Sequence, residues 1–421
     1  MAGQARLRKE AFCGTIQKTE TNMNIKHIYL GTWFQRTSLH LREFHRFLEH
    51  RQGIDRLDTK KLQHLWRGLN VQKVTLHEEG YFEFLETQMG AIRMTMTEDG
   101  IILLSVTPKK TIVNTIAQLE KFYLECFSPA LSYLFSLGAP LPKELMDVQT
   151  VYPILLVGSG ITRTNASAIF NKISDPLLSH VSTPSIETYL GEKLHALNLR
   201  QEKKWNQTRV EETMRHMVFA REFERQLSDG LRLHREIWDR ISAIRESKNM
   251  RYRDFPAIRH HLLDFLKTLS FVRARLAQMD DILTSRLQLM DPTLHKELPH
   301  LGPYEFENLQ GNQRYVYHLW EMTTEYVNDT LRLLASLFEE NTQRELNALK
   351  LTTLTAALTG FFGMNIAFPW EERWPTTLGS SFFVLAIIII AIALINGLFK
   401  LTIFNRRFVI QSKQWDDQKK I

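Results

Sequence analysis

Apolar residues recur along this chain first with a two-residue period, then with a helical one, and near the end in runs with almost no polar face. Ile28, Leu30 and Trp33 suit a short strand over His27–Phe34, and spaced Leu, Phe and Trp predict helices over Thr37–His50 and Lys60–Leu69. Four strands follow, over Val71–His77, Tyr81–Thr87, Ala91–Thr97 and Ile101–Val106, with Asp99-Gly100 as the hairpin turn between the last two. An amphipathic helix runs from Thr111 to Leu137 and is ended by Gly138, Pro140 and Pro142. Val148–Val157 reads as a further strand, which enters the turn Gly158-Ser159-Gly160 and a helix over Asn165–Ile173. A strand, a glycine turn and a helix could cradle a phosphate, but the full dinucleotide and P-loop patterns are missing, and a tight turn explains the glycines. Behind a polar leader, 1–24, these elements predict an α/β (α+β) domain over 25–190.

Beyond Glu187 strand signals vanish. Val210, Met214, Met217, Phe223, Leu227, Ile237, Ile241 and Ile244 keep helical spacing among many charges, which predicts one long amphipathic helix or two. A second run extends from Ala257 to Met290 and is closed by Asp291-Pro292, so 191–311 reads as a long-helix region ending in a linker, Pro299–Gly311. His260 and His261 are adjacent, point to different faces and make a poor pair of metal ligands. From Asn312 to Lys350 no proline or glycine interrupts, which predicts a stalk helix over 312–350, roughly 50 Å or more in length and continuing into the apolar stretch that follows.

That stretch, Leu351–Phe404, reads as two membrane spans, 351–366 and 380–404, joined by an external loop, 367–379, and followed by a basic tail, 405–421. About 20 apolar residues suffice to cross a bilayer, and the second segment has them. The first carries Thr352, Thr353, Thr355 and Thr359. Packed against copies of itself, such a helix could turn these hydroxyls toward a polar interior; alternatively each hydroxyl bonds back to a carbonyl one turn earlier. At its far end lies Gly360-Phe361-Phe362-Gly363-Met364-Asn365, where Gly363 can end a helix and Asn365 offers a neutral carbonyl oxygen. Magnesium dehydrates reluctantly, so a ring of neutral carbonyls suits its bound waters.

At these residues the chain resembles the CorA family of divalent-cation channels, whose signature is Gly-Met-Asn at the end of the first of two C-terminal spans. The match is Gly363, Met364 and Asn365, preceded by Gly360, and it extends to the acidic loop, the second span and the basic tail with Arg406 and Arg407. The resemblance implies a homopentamer with the first span lining the pore and Asn365 in the outer selectivity ring. Counting back onto family pore positions gives Ala356, Thr353 and Leu349, whereas the polar stripe of the sequence is Thr352, Thr355 and Thr359. The family loop commonly carries Met-Pro-Glu; here it reads Phe368-Pro369-Trp370-Glu371-Glu372, which leaves a ring of negative charge at the mouth from Glu371 and Glu372. In the stalk, Glu321, Glu325 and Asp329 recur at every fourth position, either as a solvated face or as regulatory metal ligands of the kind the resemblance implies.

Composition fits this picture. The 421 residues carry 53 Lys and Arg against 46 Asp and Glu, a net charge of +7, and the mean hydropathy of -0.23 leaves the spans a minority of the chain. Lys400 lies near the end of the second span, Arg406, Arg407, Lys413, Lys419 and Lys420 follow it, and Arg344 and Lys350 precede the first, so the basic excess points to a bilayer and not to nucleic acid. Both termini are expected in the cytoplasm of a bacterial inner-membrane protein. The N-terminus lacks the apolar segment of a secretory signal, and Cys13 and Cys126 cannot build a disulfide framework. No catalytic constellation is evident and the expectation is a channel, not an enzyme, with no tightly bound cofactor. Mg2+ is expected as the transported ion and also as a regulatory one, with Co2+ or Ni2+ able to pass. A ZntB-like zinc route stands as an alternative, and a sensor or interaction module tethered by the hairpin stands as another.

Overall fold

The computed structural model describes residues 23–34, 40–50, 57–79, 82–109, 111–135, 153–247, 250–251, 254–289, 306–364, 390, 394 and 407–408. Contacts divide the chain into two compact units, Met1–Leu231 with Val272–His318, and Arg232–Phe271 with Leu319–Ile421.

The first unit is an α/β domain built on a nine-stranded sheet. Its strands are β1 (Asn24–Trp33), β2 (Val71–Glu79), β3 (Phe82–Met89), β4 (Ile92–Thr97), β5 (Ile101–Val106), β6 (Ile154–Ser159), β7 (Ser179–Ser182), β8 (Ile186–Leu190) and β9 (Leu194–Leu199). The order is β2-β3-β4-β5-β1-β6-β9-β8-β7; β6 and β9 are parallel and the other neighbours antiparallel. Helices α1 (Leu41–His50), α2 (Thr59–Leu69), α3 (Ile112–Phe122), α4 (Ser128–Phe135) and α5 (Arg163–Ile173) complete this part, with a π-helical turn, Tyr123–Phe127, between α3 and α4. Phe44, Phe47, Leu62, Ile116, Phe127 and Phe170 from these helices share one core with Ile28, Leu30, Met94, Leu104 and Leu156 of the sheet. The alternate residues of β1 meet the long helix α6 (Gln207–Arg245): Trp33 packs edge-on to Phe219 at 4.8 Å between ring centroids, and Gly31 lies so close to Val218 that a Cβ there would meet its Cγ2 at 2.1 Å. β1 is thus buried on both faces from Ile28 to Trp33, with Thr32 the one polar side chain in that run.

Turns are fixed by side chains suited to them. Gly100 has φ +89°, and a Cβ there would sit 1.7 Å from the Phe34 carbonyl oxygen, so the β4–β5 turn needs glycine. The Asp175 carboxylate accepts from the backbone N–H groups of Glu192, Lys193 and Leu194 at 3.0, 3.1 and 2.6 Å, holding the β8–β9 turn. Thr162 caps α5 by accepting from the Asn165 N–H, which gives Gly158-Ser159-Gly160 the role of a tight connection; a Cβ on Gly158 would meet the Asn24 oxygen at 2.4 Å.

Three differences from the sequence pattern stand out. Strands do not stop at Glu187: β9 extends the sheet to Leu199, and its six residues are all buried, so no polar alternation marks it. β7 is a short edge strand, Ser-His-Val-Ser, without apolar signal. The proposed linker Pro299–Gly311 is helical from Phe306, and Gly311 lies inside helix α8 (Phe306–Met364) with nothing within 4 Å of where its Cβ would be.

Besides α6, two further helices are long: α7 (Phe255–Leu289) and α8, with 59 residues. On α8 the buried positions Leu309, Gln313, Val316, Trp320, Thr323, Val327, Thr330 and Leu334 form a seam with alternating steps of four and three, and Asn341 is buried seven residues further on. Within the second unit Trp238 stacks on Tyr326 at 4.6 Å, and Thr323 bonds His234 at 2.7 Å. Met250–Arg251 (β10) pairs antiparallel with Arg407–Phe408 (β11) in that same unit.

Candidate functional site

The residues with the strongest chemical case lie at the C-terminal part of α8. Several polar side chains there bond within the helix. Asn341 donates to Glu345 at 3.1 Å, Glu340 pairs with Arg344, and Thr342 donates to the Phe338 carbonyl at 2.9 Å. Thr352 donates to the carbonyls of Ala348 and Leu349 at 3.1 and 2.9 Å, and Thr353 to that of Leu349 at 2.8 Å. A threonine that donates its proton to the preceding turn keeps its oxygen lone pairs as acceptors. Thr352 and Thr353 are exposed, as are Leu349, Ala356, Ala357 and Gly360. This surface presents small side chains and neutral oxygens, a chemistry suited to the hydrogens of a hydrated cation. Both candidate pore phases are represented in it, Leu349, Thr353 and Ala356 on one count and Thr352 on the other.

Gly363 and Met364 lie on α8, in unbroken helix from Phe306. Asn365, Glu371, Glu372 and Arg406 lie outside the described residues, as do the side chains of Thr355, Thr359 and Arg407. The second apolar segment, 380–404, is also outside them apart from Ile390 and Leu394, two exposed helical positions. Among the described residues no helix is long and apolar enough to cross a membrane.

The acidic stripe of α8 is open to solvent at Glu325 and Asp329, and half-buried at Glu321. Asp329 lies 3.6 Å from Arg332 in a strongly exposed pair. Among the described residues no three His, Cys, Asp or Glu side chains form a group able to hold a metal, so a single chain brings no closed cage to this stripe. His260 pairs with Asp264 at 3.7 Å in solvent, apart from any such group. Cys126 is half-buried, and its thiol is pushed up by burial.

Several polar contacts were invisible in the sequence. Arg93 on β4 bonds Glu86 on β3 at 2.7 Å, which holds the Glu86 carboxyl below its usual range, and it also reaches Glu211 on α6. Gln207 donates to the Tyr29 hydroxyl at 3.3 Å, and burial drives that hydroxyl upward. Arg286 of α7 is buried against Asp99 and over the Phe219 ring at 4.7 Å. These groups stitch helices to the sheet, and charges spaced along a helix do not reveal which of them a sheet will cover. A depression of about 280 Å3 lined by Asn70, Met89, Ile92, Thr115, Gln118 and Phe122 carries no charged side chain.

Neither family models nor curated proteins yield a match to the chain. Among solved structures it is similar to the CorA magnesium transporter from Methanocaldococcus jannaschii, at 13% identity and a TM-score of 0.27, over 62% of this chain and 94% of that one.

Proposed function

We propose that this protein is a CorA-like oligomeric channel that carries Mg2+ inward across a membrane, with both termini in the cytoplasm. The observation that carries the reading is that Gly363 and Met364 lie on a helix uninterrupted from Phe306, and that in the sequence Asn365 and a second apolar segment follow them. Two spans per chain cannot enclose a pore, so the reading requires several copies, five by the family resemblance. Asn365 with Gly363 and Met364 selects hydrated cations through neutral oxygens, Glu371 and Glu372 concentrate them, and the face bearing Leu349, Thr352, Thr353, Ala356 and Thr359 conducts. The strand pair β10–β11 supports a two-span hairpin, because it sets residues on either side of both spans next to one another. In this reading no bond is made or broken, and the protein is not an enzyme. Carboxylates at Glu321, Glu325 and Asp329 from neighbouring copies hold regulatory Mg2+ when the cytosolic level is high.

The test is Mg2+ uptake into proteoliposomes under an inward-negative potential, wild type beside Asn365→Ala, with Zn2+ and a proton-sensitive dye in parallel. Uptake in the wild type and its loss in the variant are expected. Zn2+ flux accompanied by protons would replace the reading with the zinc route. No flux of any cation from a correctly folded oligomer would leave the tethered sensor. Equal conductance at zero and millimolar internal Mg2+ would dispose of the regulatory sites.

A further inference from the structure

The depression between α2, the β3–β4 turn and α3 takes no part in the proposed pore. Its volume of about 280 Å3 is at the small end of the range for ligand sites. Of the residues that line it, Met89 and Leu119 are buried, Ile92 and Phe122 half-buried, and Asn70 and Gln118 exposed. An apolar interior therefore carries carboxamides at its rim. No charged side chain lines it, so a phosphate or carboxylate entering it would lose water without gaining a counter-charge. The chemistry selects a neutral ligand.

The Asn70 carboxamide is set in place by the backbone beside it. Asn70 ends α2 in the left-handed region at φ 50°, and its carbonyl accepts from the Gly90 N–H at 3.1 Å. Its side-chain nitrogen lies so near Gly90 that a Cβ there would meet it at 3.1 Å. Gly90 has φ +60°, and its own carbonyl accepts from the Gln88 side chain at 2.8 Å. Among the described residues the Asn70 and Gln118 side chains bond no other group, which leaves both amides for a ligand. A carboxamide presents an N–H donor beside a carbonyl acceptor, and its complement is a planar edge with an acceptor beside a donor. Nitrogen heterocycles carry such an edge on a flat ring with apolar faces. We propose that this depression binds a free purine-type base, whose ring displaces water from Phe122 and Ile92 and whose donor–acceptor edge pairs with the Asn70 carboxamide. The inference stands independently of the channel reading.

The experiment measures binding of adenine and of indole to the detergent-purified full chain by equilibrium dialysis. Indole is a fused ring of similar size without the paired edge. Adenine is expected to bind at least about fivefold more tightly than indole, a comparison that needs no variant. Asn70→Gly keeps the left-handed backbone without strain and removes the amide. It should bring adenine to parity with indole and leave indole binding unchanged. Ala91 is an exposed residue of the lining, and Ala91→Phe, which fills the mouth with a ring, should abolish binding of both. Gln63→Ala removes an exposed carboxamide of α2 outside the depression and should change neither. Failure of adenine to bind at millimolar concentration, equal affinity of the wild type for the two rings, an equal loss of both in Asn70→Gly, or wild-type binding by Ala91→Phe would each overturn the assignment.

Discussion

Gly31 and two histidines carry the sharpest consequences at the scale of single residues. A methyl group on Gly31 would overlap Val218, which is branched at Cβ and held between helix and sheet, so Gly31→Ala is expected to cost about 1–3 kcal/mol by overpacking. Val218→Ala in the same chain should recover part of that loss, as read by urea unfolding of both variants. His195 and His216 are buried, and burial pushes each down to about 3, with Arg221 beside the first and Arg286 and Arg215 beside the second. The unfolded chain takes up protons at these groups below about 6.5, while the folded one holds them neutral. Their contribution is therefore complete above that pH and is lost as pH falls from 6.5 toward 3, at up to about 1.4 kcal/mol per pH unit for each histidine. Neither ring nitrogen of His195 has a partner among the described residues. His195→Leu should hold or raise stability at neutral pH and make the fall between pH 6.5 and 5 shallower, measured by unfolding at several pH values.

At the scale of elements, α8 combines a regular buried seam with a glycine that nothing requires. Gly311 is exposed inside the helix, with a helical backbone and open space where a Cβ would lie. Gly311→Ala should raise stability by about 0.5–1 kcal/mol, checked by a thermal or urea melt. The same glycine explains why the linker Pro299–Gly311 looked plausible: Gly near Pro signals a break, and only packing of Leu309 and Gln313 overrides it. Most other elements were legible. Ile101–Val106 matched its strand to the residue, and Ile92–Thr97 and Thr59–Leu69 differed by one, because alternation and helical spacing were both clean. The π turn at Tyr123–Phe127 was not legible, since one added residue in a turn leaves the helical pattern nearly intact.

At the scale of the whole molecule the proposed channel makes a prediction of mass. In detergent the full chain should sediment as an oligomer several times its 49.3 kDa, and a stable monomer by analytical ultracentrifugation would leave the pore without walls. The candidate site was readable as a string of residue types: Gly363, Met364 and Asn365 are neighbours in sequence, and the threonines before them share one helix. The local pattern by itself determined the mixed α/β beginning, the three long helices and the two apolar segments, because periodicity records which face of an element leaves water. Tertiary structure alone decided what is non-local. It continued the sheet through β9 beside β6, whose pairing depends on a partner about forty residues away. It set Arg93 against Glu211 and Arg286 against Asp99, choices made among many charges by which ones the packing covers. It also joined Arg251 to Arg407, for the ladder that pairs them is made by backbone groups common to every residue and leaves no mark in the sequence.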